Sequence, residues 1–399
     1  MINLPIEEVK KIKTRINKFC ENKINAFSPT ISPAPKSFTR NEIESIEEGI
    51  HYYIKRGVTS LVFQKKYMGS YCDIYLHKNV EESYLASRNG HLINYIDNEK
   101  VVLELQKLHQ KFDWNKTKII IIQSELLPWH VLGKGLIQNE FFGYLNAHEN
   151  HFNELKNNNL YNKINKVRES ESYLNFKKDK IDLSEKELKN KYESHVLRQY
   201  NAIESFVFKD LKVYEKSISI YKEQIVFFGK EAELYFKPFN ILKKIFDDET
   251  EEIVNDNNSY SIVNEDEFMT LEISENTNLE VEIEKIYDWF NQLTSKNEEG
   301  IVIKPKTSFI NGVAPALKVR NNNYLTMIYG LDFLENFKQN FGKRKIDRKL
   351  DCSINDWMQN WELLKVKHQD ISNENYYFKN LVLDRILGES IENQLDSRL

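Results

Sequence analysis

Apolar and polar positions along this chain change rhythm several times, and each change marks an element. From Ile6 to Val58 the pattern is helical, broken by FSPTISPAPKSF, where Pro33 and Pro35 impose an extended segment. The run LVFQKKYMGSYCDIYLH turns to β-branched and aromatic residues and predicts a strand, a turn at Gly69 and a second strand. KIIIIQSELLP, residues 118 to 128, is too continuously apolar for an exposed strand and predicts a buried one ending at Glu125. From 139 to 230 Lys, Glu, Asn and Leu dominate, Gly and Pro nearly vanish, and Tyr192, Val196, Tyr200, Ile203 and Phe206 fall at helical spacing. Strand character returns in AELYFKPFNIL, after which a stretch with Asp247, Asp248, Glu249, Glu251, Glu252, Asp256 and Asp266 reads as an acidic loop. Ile283, Ile286, Phe290 and Leu293 share a helix face that leads to Glu299, two more strands follow, and beyond Tyr329 the pattern is helical. The expectation is an α+β chain whose β-rich core is divided between residues 1–138 and 231–330, with a helical insert at 139–230 and a helical module at 331–399.

At 399 residues, 41% hydrophobic and 12% aromatic, the chain can bury one large core or two to three smaller ones. It shows no signal-peptide pattern and no apolar run approaching the roughly 20 residues that span a bilayer, so a soluble, cytoplasmic protein is expected. Cys20, Cys72 and Cys352 are few and far apart, which fits a reducing compartment and offers no zinc cage. The net charge of −4 argues against indiscriminate nucleic-acid binding, because counterion release needs clustered cations. Two clusters do exist: Lys343, Arg344, Lys345, Arg348 and Lys349, which read as a solvated helix face, and Lys304, Lys306, Lys318 and Arg320 on predicted strands. No glycine-rich loop of P-loop or Rossmann spacing is present, so any nucleotide site must be built from side chains on strands.

Lys66 closes a predicted strand three residues before Gly69, a place from which a lysine can point into a cleft. As a nucleophile it needs a neutral amine, which neighbouring cations such as Lys304 and Lys318, or desolvation, would favour. KxxG alone is too common to identify one; two exposed lysines beside a hairpin give the same letters. Glu125 and Glu299 adjoin apolar strand runs, where a carboxylate must be paired or metal-bound; they suit a hydrated Mg²⁺, a ribose, or plain ion pairs. Lys318 and Arg320 alternate onto one strand face, which suits a phosphate or an exposed edge. Phe239 reads as core or as a platform for a base, and His148 and His151 lack a third metal ligand.

In order along the chain, KYMG, SRNG, SELLPW, KPFNIL, EGIVIKP and ALKVR resemble the motifs of the covalent nucleotidyltransferase superfamily of ATP-dependent ligases and RNA-capping enzymes. The likeness is closer to the ligase domain of bacterial RNA-repair proteins, which act with a polynucleotide kinase-phosphatase and a terminal 2′-O-methyltransferase. There too a PW pair follows the glutamate, a PF-x-L segment replaces FD-x-L, and a YL-x-x-IYG run follows the last motif, like Tyr324 to Gly330. The resemblance covers most of residues 40 to 390 and implies a nucleotidyltransferase fold with mixed or antiparallel sheets. It implies Lys66 as the residue that takes AMP from ATP, Glu125 on the ribose, Phe239 on adenine and Arg88 on a nucleotide or RNA phosphate. It further implies Glu299 on Mg²⁺ or Mn²⁺, with Lys304, Lys318 and Arg320 on the nucleotide phosphates. The implied substrate is RNA with 5′-phosphate and 3′-hydroxyl ends. One departure is Tyr71, two residues after Gly69, where the family usually has an arginine that holds nucleotide or substrate. The alternative function is a non-catalytic scaffold that keeps the fold to organise repair partners.

Overall fold

The computed structural model describes residues 5–132, 135–230 and 232–389, so the last ten positions assigned to the helical module lie outside the described residues. Among the described residues ten strands form two five-stranded sheets. The strands are β1 (Ser32–Pro33), β2 (Ser60–Lys66), β3 (Ser70–His77), β4 (Tyr84–Ser87), β5 (Thr117–Leu127), β6 (Tyr235–Phe246), β7 (Glu251–Ile253), β8 (Phe268–Glu272), β9 (Gly300–Pro305) and β10 (Leu317–Arg320). The first sheet runs β1-β10-β9-β2-β8 and the second β4-β3-β5-β6-β7; every pairing is antiparallel except β1 with β10. The strand–turn–strand over LVFQKKYMGSYCDIYLH is present, but β2 and β3 do not pair with each other. Between Lys66 and Ser70 the chain leaves one sheet and enters the other. That crossing is what sets Lys66 between two layers rather than at the tip of a hairpin.

Alternation sorts each strand between cleft and core. In the first sheet Leu61, Phe63, Ile301, Ile303, Leu317 and Val319 pack beneath the helices Ile46–Ile54 and Leu279–Thr294. Ser45 caps the first of these helices and Asn278 the second, each accepting a backbone N–H of the first turn. The second sheet is covered on one face by the Asn98–His109 helix. Its other face carries Tyr75, Ile119, Ile121, Leu242 and Ile245 against the Ile6–Glu21 helix and the helices Asp347–Lys365 and Tyr376–Leu387. Ile16, Phe19 and Cys20 near one end of the chain therefore share a core with Phe378 and Val382 near the other.

The span 142–228 is helical, and its apolar faces join the Asn322–Tyr329 helix through Tyr214, Ile218, Tyr221 and Ile225 against Tyr324, Leu325 and Ile328. The periodic run from Tyr192 to Phe206 is not one helix: it straddles a break between Glu185–Lys191 and Ser194–Ser205, and Tyr192 and Tyr200 meet on Phe176. The acidic stretch after β6 differs from the expected loop, because Glu251–Ile253 forms the edge strand β7. Its Glu251 Oε2 pairs at 2.5 Å with Lys243 Nζ, in a side chain only 1% exposed, and its Oε1 accepts the backbone N–H of His368 at 2.6 Å. Lys243 Nζ also donates to the carbonyls of Leu364 (2.5 Å) and Val366 (2.9 Å), the negative end of the Asp347–Lys365 helix. A buried cation thus bolts the C-terminal helices to the second sheet. The cysteines are free, and among the described residues no helix is long and apolar enough to cross a membrane.

A candidate active site between the two sheets

Register builds the site. Across the first sheet Lys66 pairs with Gly300 and Gly300 with Arg320; one step along, Gln64 pairs with Val302 and Val302 with Lys318; then Val62 pairs with Lys304. These residues share the face turned away from the core, so Lys66, Gln64, Lys304, Lys318 and Arg320 line one wall. Gly300 has φ +149°, and a Cβ there would lie 2.1 Å from the Val319 carbonyl oxygen, so the middle of the Lys66–Arg320 row is held open by a glycine. Asn321 fixes the neighbouring turn. Its Nδ2 donates to the carbonyls of Glu298 and Glu299, and its Oδ1 accepts the Tyr324 N–H to cap the next helix.

The second sheet supplies the facing wall. Tyr71 pairs with Glu125, and Asp73 with Gln123, which pairs with Asn240. Gln64 joins the walls, its Nε2 donating to the Phe239 carbonyl at 3.1 Å and its Oε1 accepting from Lys304 Nζ at 2.6 Å. The Lys304 ammonium lies 4.3 Å from the centre of the half-buried Phe239 ring. Lys66 Nζ sits 2.8 Å from Glu299 Oε1, and the second oxygens Glu299 Oε2 and Glu125 Oε2 are buried without a hydrogen bond among the described residues. Burial raises the Glu125 carboxyl to about 7, with Glu299 adding repulsion and Lys66 and Lys304 opposing it. Burial lowers Lys304 to about 7. Burial also drives Lys318 well below its ordinary value, helped by the positive charge of Arg320 and Lys66. Burial thus disfavours the charged forms of these groups, a pattern shared by sites that receive a charged ligand.

Of the residues singled out from sequence, Lys66, Glu125, Phe239, Glu299, Lys304 and Lys318 converge here. Arg320 lies at the end of the same row, but its Nε and NH2 are engaged by Glu44, which also accepts its backbone N–H at 2.8 Å. Arg88 is not brought into this group by any contact among the described residues: it lies in the turn after β4, exposed, donating to Thr30 Oγ1 at 2.6 Å. Arg344 is not part of a solvated helix face: it follows the Phe337–Lys343 helix, and its side chain is 7% exposed against Glu44. His148 pairs with Tyr214 and faces no metal partner, and among the described residues no three His, Cys, Asp or Glu side chains form a metal-holding group. A divalent cation would therefore rest on Glu299 plus phosphate oxygens and water, which the orphaned carboxylate oxygens fit.

Sequence reasoning passed over Gln64, Glu44 and Asp73. Asp73 is the third polar residue of a network in which Tyr71 OH donates to Asp73 Oδ1 at 2.5 Å and accepts from Gln123 Nε2 at 2.9 Å. Its signal was the strand alternation, which puts Asp73 on the same inward face as Tyr71 and Tyr75. Burial lifts the Asp73 carboxyl to about 8 from an ordinary 3.8, against the hydrogen bond from Tyr71. Its contribution to stability is thus fully present below pH 3.8 and erodes as the pH rises through about 8. Asp73→Asn keeps the acceptor for Tyr71 and removes the titration. Urea unfolding at pH 6 and pH 9 should show the variant gaining on wild type by about 1.4 kcal/mol for each pH unit between 6 and about 8, and no further above it; a gap that does not change with pH would mean that Asp73 is charged in the fold.

The chain matches the family described as PNKP adenylyltransferase domain, ligase domain, over residues 19–373. It is 52% identical to a chain in the structure of the Pnkp1/Rnl/Hen1 complex, with a TM-score of 0.92 over 98% of this chain and 99% of that one. A second structure, of the Pnkp1/Rnl/Hen1 RNA repair complex, aligns at the same identity and coverage with a TM-score of 0.86. No curated protein matches it. With a family match across most of its length, the chain belongs to the PNKP ligase family of adenylyltransferases.

Proposed function

We propose that this chain is an ATP-dependent RNA ligase that carries AMP on Lys66 and seals a 5′-phosphate to a 3′-hydroxyl during RNA repair. The observation that carries this reading is the placement of Lys66 at the crossing between sheets, 2.8 Å from Glu299 and opposite Glu125, on a wall of cations. The neutral Lys66 amine attacks the α-phosphorus of ATP; the N–P bond forms as the bond to pyrophosphate breaks. Glu299 Oε1 is the acceptor nearest to the proton that Lys66 must shed. The RNA 5′-phosphate then displaces Lys66 from the AMP, the departing nitrogen taking back the proton it shed so that it leaves as a neutral amine, and the 3′-hydroxyl, giving up its proton, displaces AMP from the activated end. Lys304 and Lys318 offset phosphate charge, Glu125 accepts from the ribose, and Phe239 stacks on adenine once Lys304 moves off its ring. Arg88, exposed in the turn after β4, meets a phosphate of nucleotide or RNA. A Mg²⁺ or Mn²⁺ held at Glu299 would supply further charge neutralisation.

The matched chains belong to a Pnkp1/Rnl/Hen1 complex, and we extend that to this chain: its partners would be a kinase-phosphatase and a terminal 2′-O-methyltransferase. The test is to incubate the purified chain with α-labelled ATP and Mg²⁺ or Mn²⁺, alone and with those partners, followed by RNA bearing a 5′-phosphate and a 3′-hydroxyl. A labelled protein that passes its label to RNA and yields a sealed strand is expected. No covalent label under any of these conditions would instead assign the fold to scaffolding.

A further inference from the structure

One aromatic and basic surface is used by none of the steps above. Between Asn336 and Lys349 the sequence holds six basic residues and one acid, Asp347, in a chain whose net charge is −4. Arg344 turns inward to Glu44, whereas Lys338, Lys343, Lys345 and Arg348 are exposed, and their side chains make no ion pair or hydrogen bond among the described residues. Beside them stands Phe38, 76% exposed. It sits on a short turn closed by two backbone hydrogen bonds between Ser37 and Glu42, at 2.9 and 3.1 Å, and by Ser37 Oγ accepting the Arg40 N–H at 3.2 Å. The ring meets that of Phe341 edge to face, with centres 5.2 Å apart. Lys36 Nζ lies 5.1 Å from the one ring centre and 4.9 Å from the other, and donates to the Phe341 carbonyl at 2.8 Å. Phe341 belongs to the Phe337–Lys343 helix, one turn after Lys338 and two residues before Lys343. Ring and cations therefore make one surface.

A single exposed apolar side chain is ordinary. This one is held by a turn, an edge contact and a cation, and it opens onto unpaired positive charge. An apolar protein partner would cover those charges and leave them without counter-charge. A single strand of RNA satisfies both parts, because a base stacks on the ring whatever its sequence and the phosphates meet the cations. A duplex keeps its base faces to itself and gains the charge alone. The turn also starts at the cleft: β1 pairs Pro33 with Lys318, and the Ala34 N–H donates to the Lys318 carbonyl at 2.9 Å, so Lys36 and Phe38 lead away from the wall that carries Lys318. We propose that Phe38, seated on Phe341, forms with Lys338, Lys343, Lys345 and Arg348 a platform for the unpaired RNA next to the ends being sealed. Local charge, not the acidic total, then guides the strand. The inference rests on the RNA-sealing reading for the presence of a strand beside the cleft.

The experiment compares wild type, Phe38→Ala, Phe38→Trp and a triple variant, Lys343→Gln with Lys345→Gln and Arg348→Gln, each as the full chain alone and in complex with its partners. Melting curves establish that each is folded. Equilibrium binding of an end-labelled single-stranded RNA, and of the same RNA as a duplex, is read across a salt series, and covalent labelling of wild type by α-labelled ATP is measured alongside. Phe38→Ala should weaken single-stranded RNA by roughly 5- to 100-fold, the scale of one lost stacked base, and leave the duplex and the salt slope unchanged. Phe38→Trp should bind at least as tightly as wild type. The triple variant should weaken both RNAs and flatten the slope of log affinity on log salt for the single strand by roughly 2, since each phosphate contact there contributes about 0.7. Equal affinities across the series, or an equal loss on duplex and single strand in Phe38→Ala, would overturn the platform. So would the loss of a protein partner from Phe38→Ala with RNA binding intact, which would give the ring to that partner. A wild type that is labelled by ATP yet shows one of these results loses the platform alone. One that is never labelled, while Phe38→Ala still drops the single strand, keeps the platform and loses the sealing reading.

Discussion

Replacing Lys66 by alanine or by arginine should abolish covalent labelling by α-labelled ATP, read by gel or by intact mass, under conditions in which the wild type is labelled. The two substitutions separate chemistry from packing. Lys66→Ala strips Glu299, 2% exposed, of its ion-pair partner at 2.8 Å and leaves it beside Glu125, so that variant also loses stability. Lys66→Arg keeps a cation at the end of β2 but carries a guanidinium that stays protonated in proteins and does not attack phosphorus. The expected pattern is no adduct in either variant and a melting temperature nearer to wild type in the arginine variant. Label surviving on either would place the nucleophile elsewhere. No partial loss is expected, because a covalent carrier has no substitute, whereas removing one charge-stabilising donor costs roughly 3 to 4 kcal/mol of barrier.

The largest expected loss of stability lies away from the cleft. Lys243→Met keeps the length of the side chain but removes the charge that Glu251 and the carbonyls of Leu364 and Val366 share. Breaking such a pair from one side costs about 3 to 5 kcal/mol, since Glu251, 7% exposed, remains buried without its counter-charge. Urea denaturation measures it. The double variant Lys243→Met with Glu251→Gln should recover part of the loss, because the uncompensated charge goes too. A single-variant loss below about 1 kcal/mol would mean that water reaches the pair and that the C-terminal helices are held by apolar packing alone.

Much of this site was legible because strand alternation is a rule about faces. Lys318 and Arg320 had to share one, and a carboxylate at the end of the KIIIIQSELL run had to be reached by something charged. Partner strands were not legible. Nothing in LVFQKKYMGSY says that the chain changes sheets at Met68 and Gly69, and that crossing alone sets Lys66 opposite Glu125. Arg344 was hidden in a run of five basic residues within seven positions, where only the path of the chain picks out the one that turns inward. Glu251 was hidden likewise among acids, its strand being three residues long and defined wholly by its neighbour β6. Glu44 carried no signal at all. Its environment comes from Arg320 and Arg344, more than 270 residues further along.

The segment around residue 30, on which Arg88 rests, is held by residues more than 300 positions further along. The Thr30 N–H is held by Asp356 Oδ2 at 2.9 Å, that of Phe27 by Asn360 Oδ1 at 2.7 Å, and Arg385 NH2 donates to the Ser28 carbonyl. Arg88 in turn rests on Thr30. During synthesis, then, the segment around residue 30 leaves the ribosome with its partners still untranslated, more than 300 residues behind it. A nascent chain stopped before about residue 350 can form much of both sheets yet cannot settle Arg88.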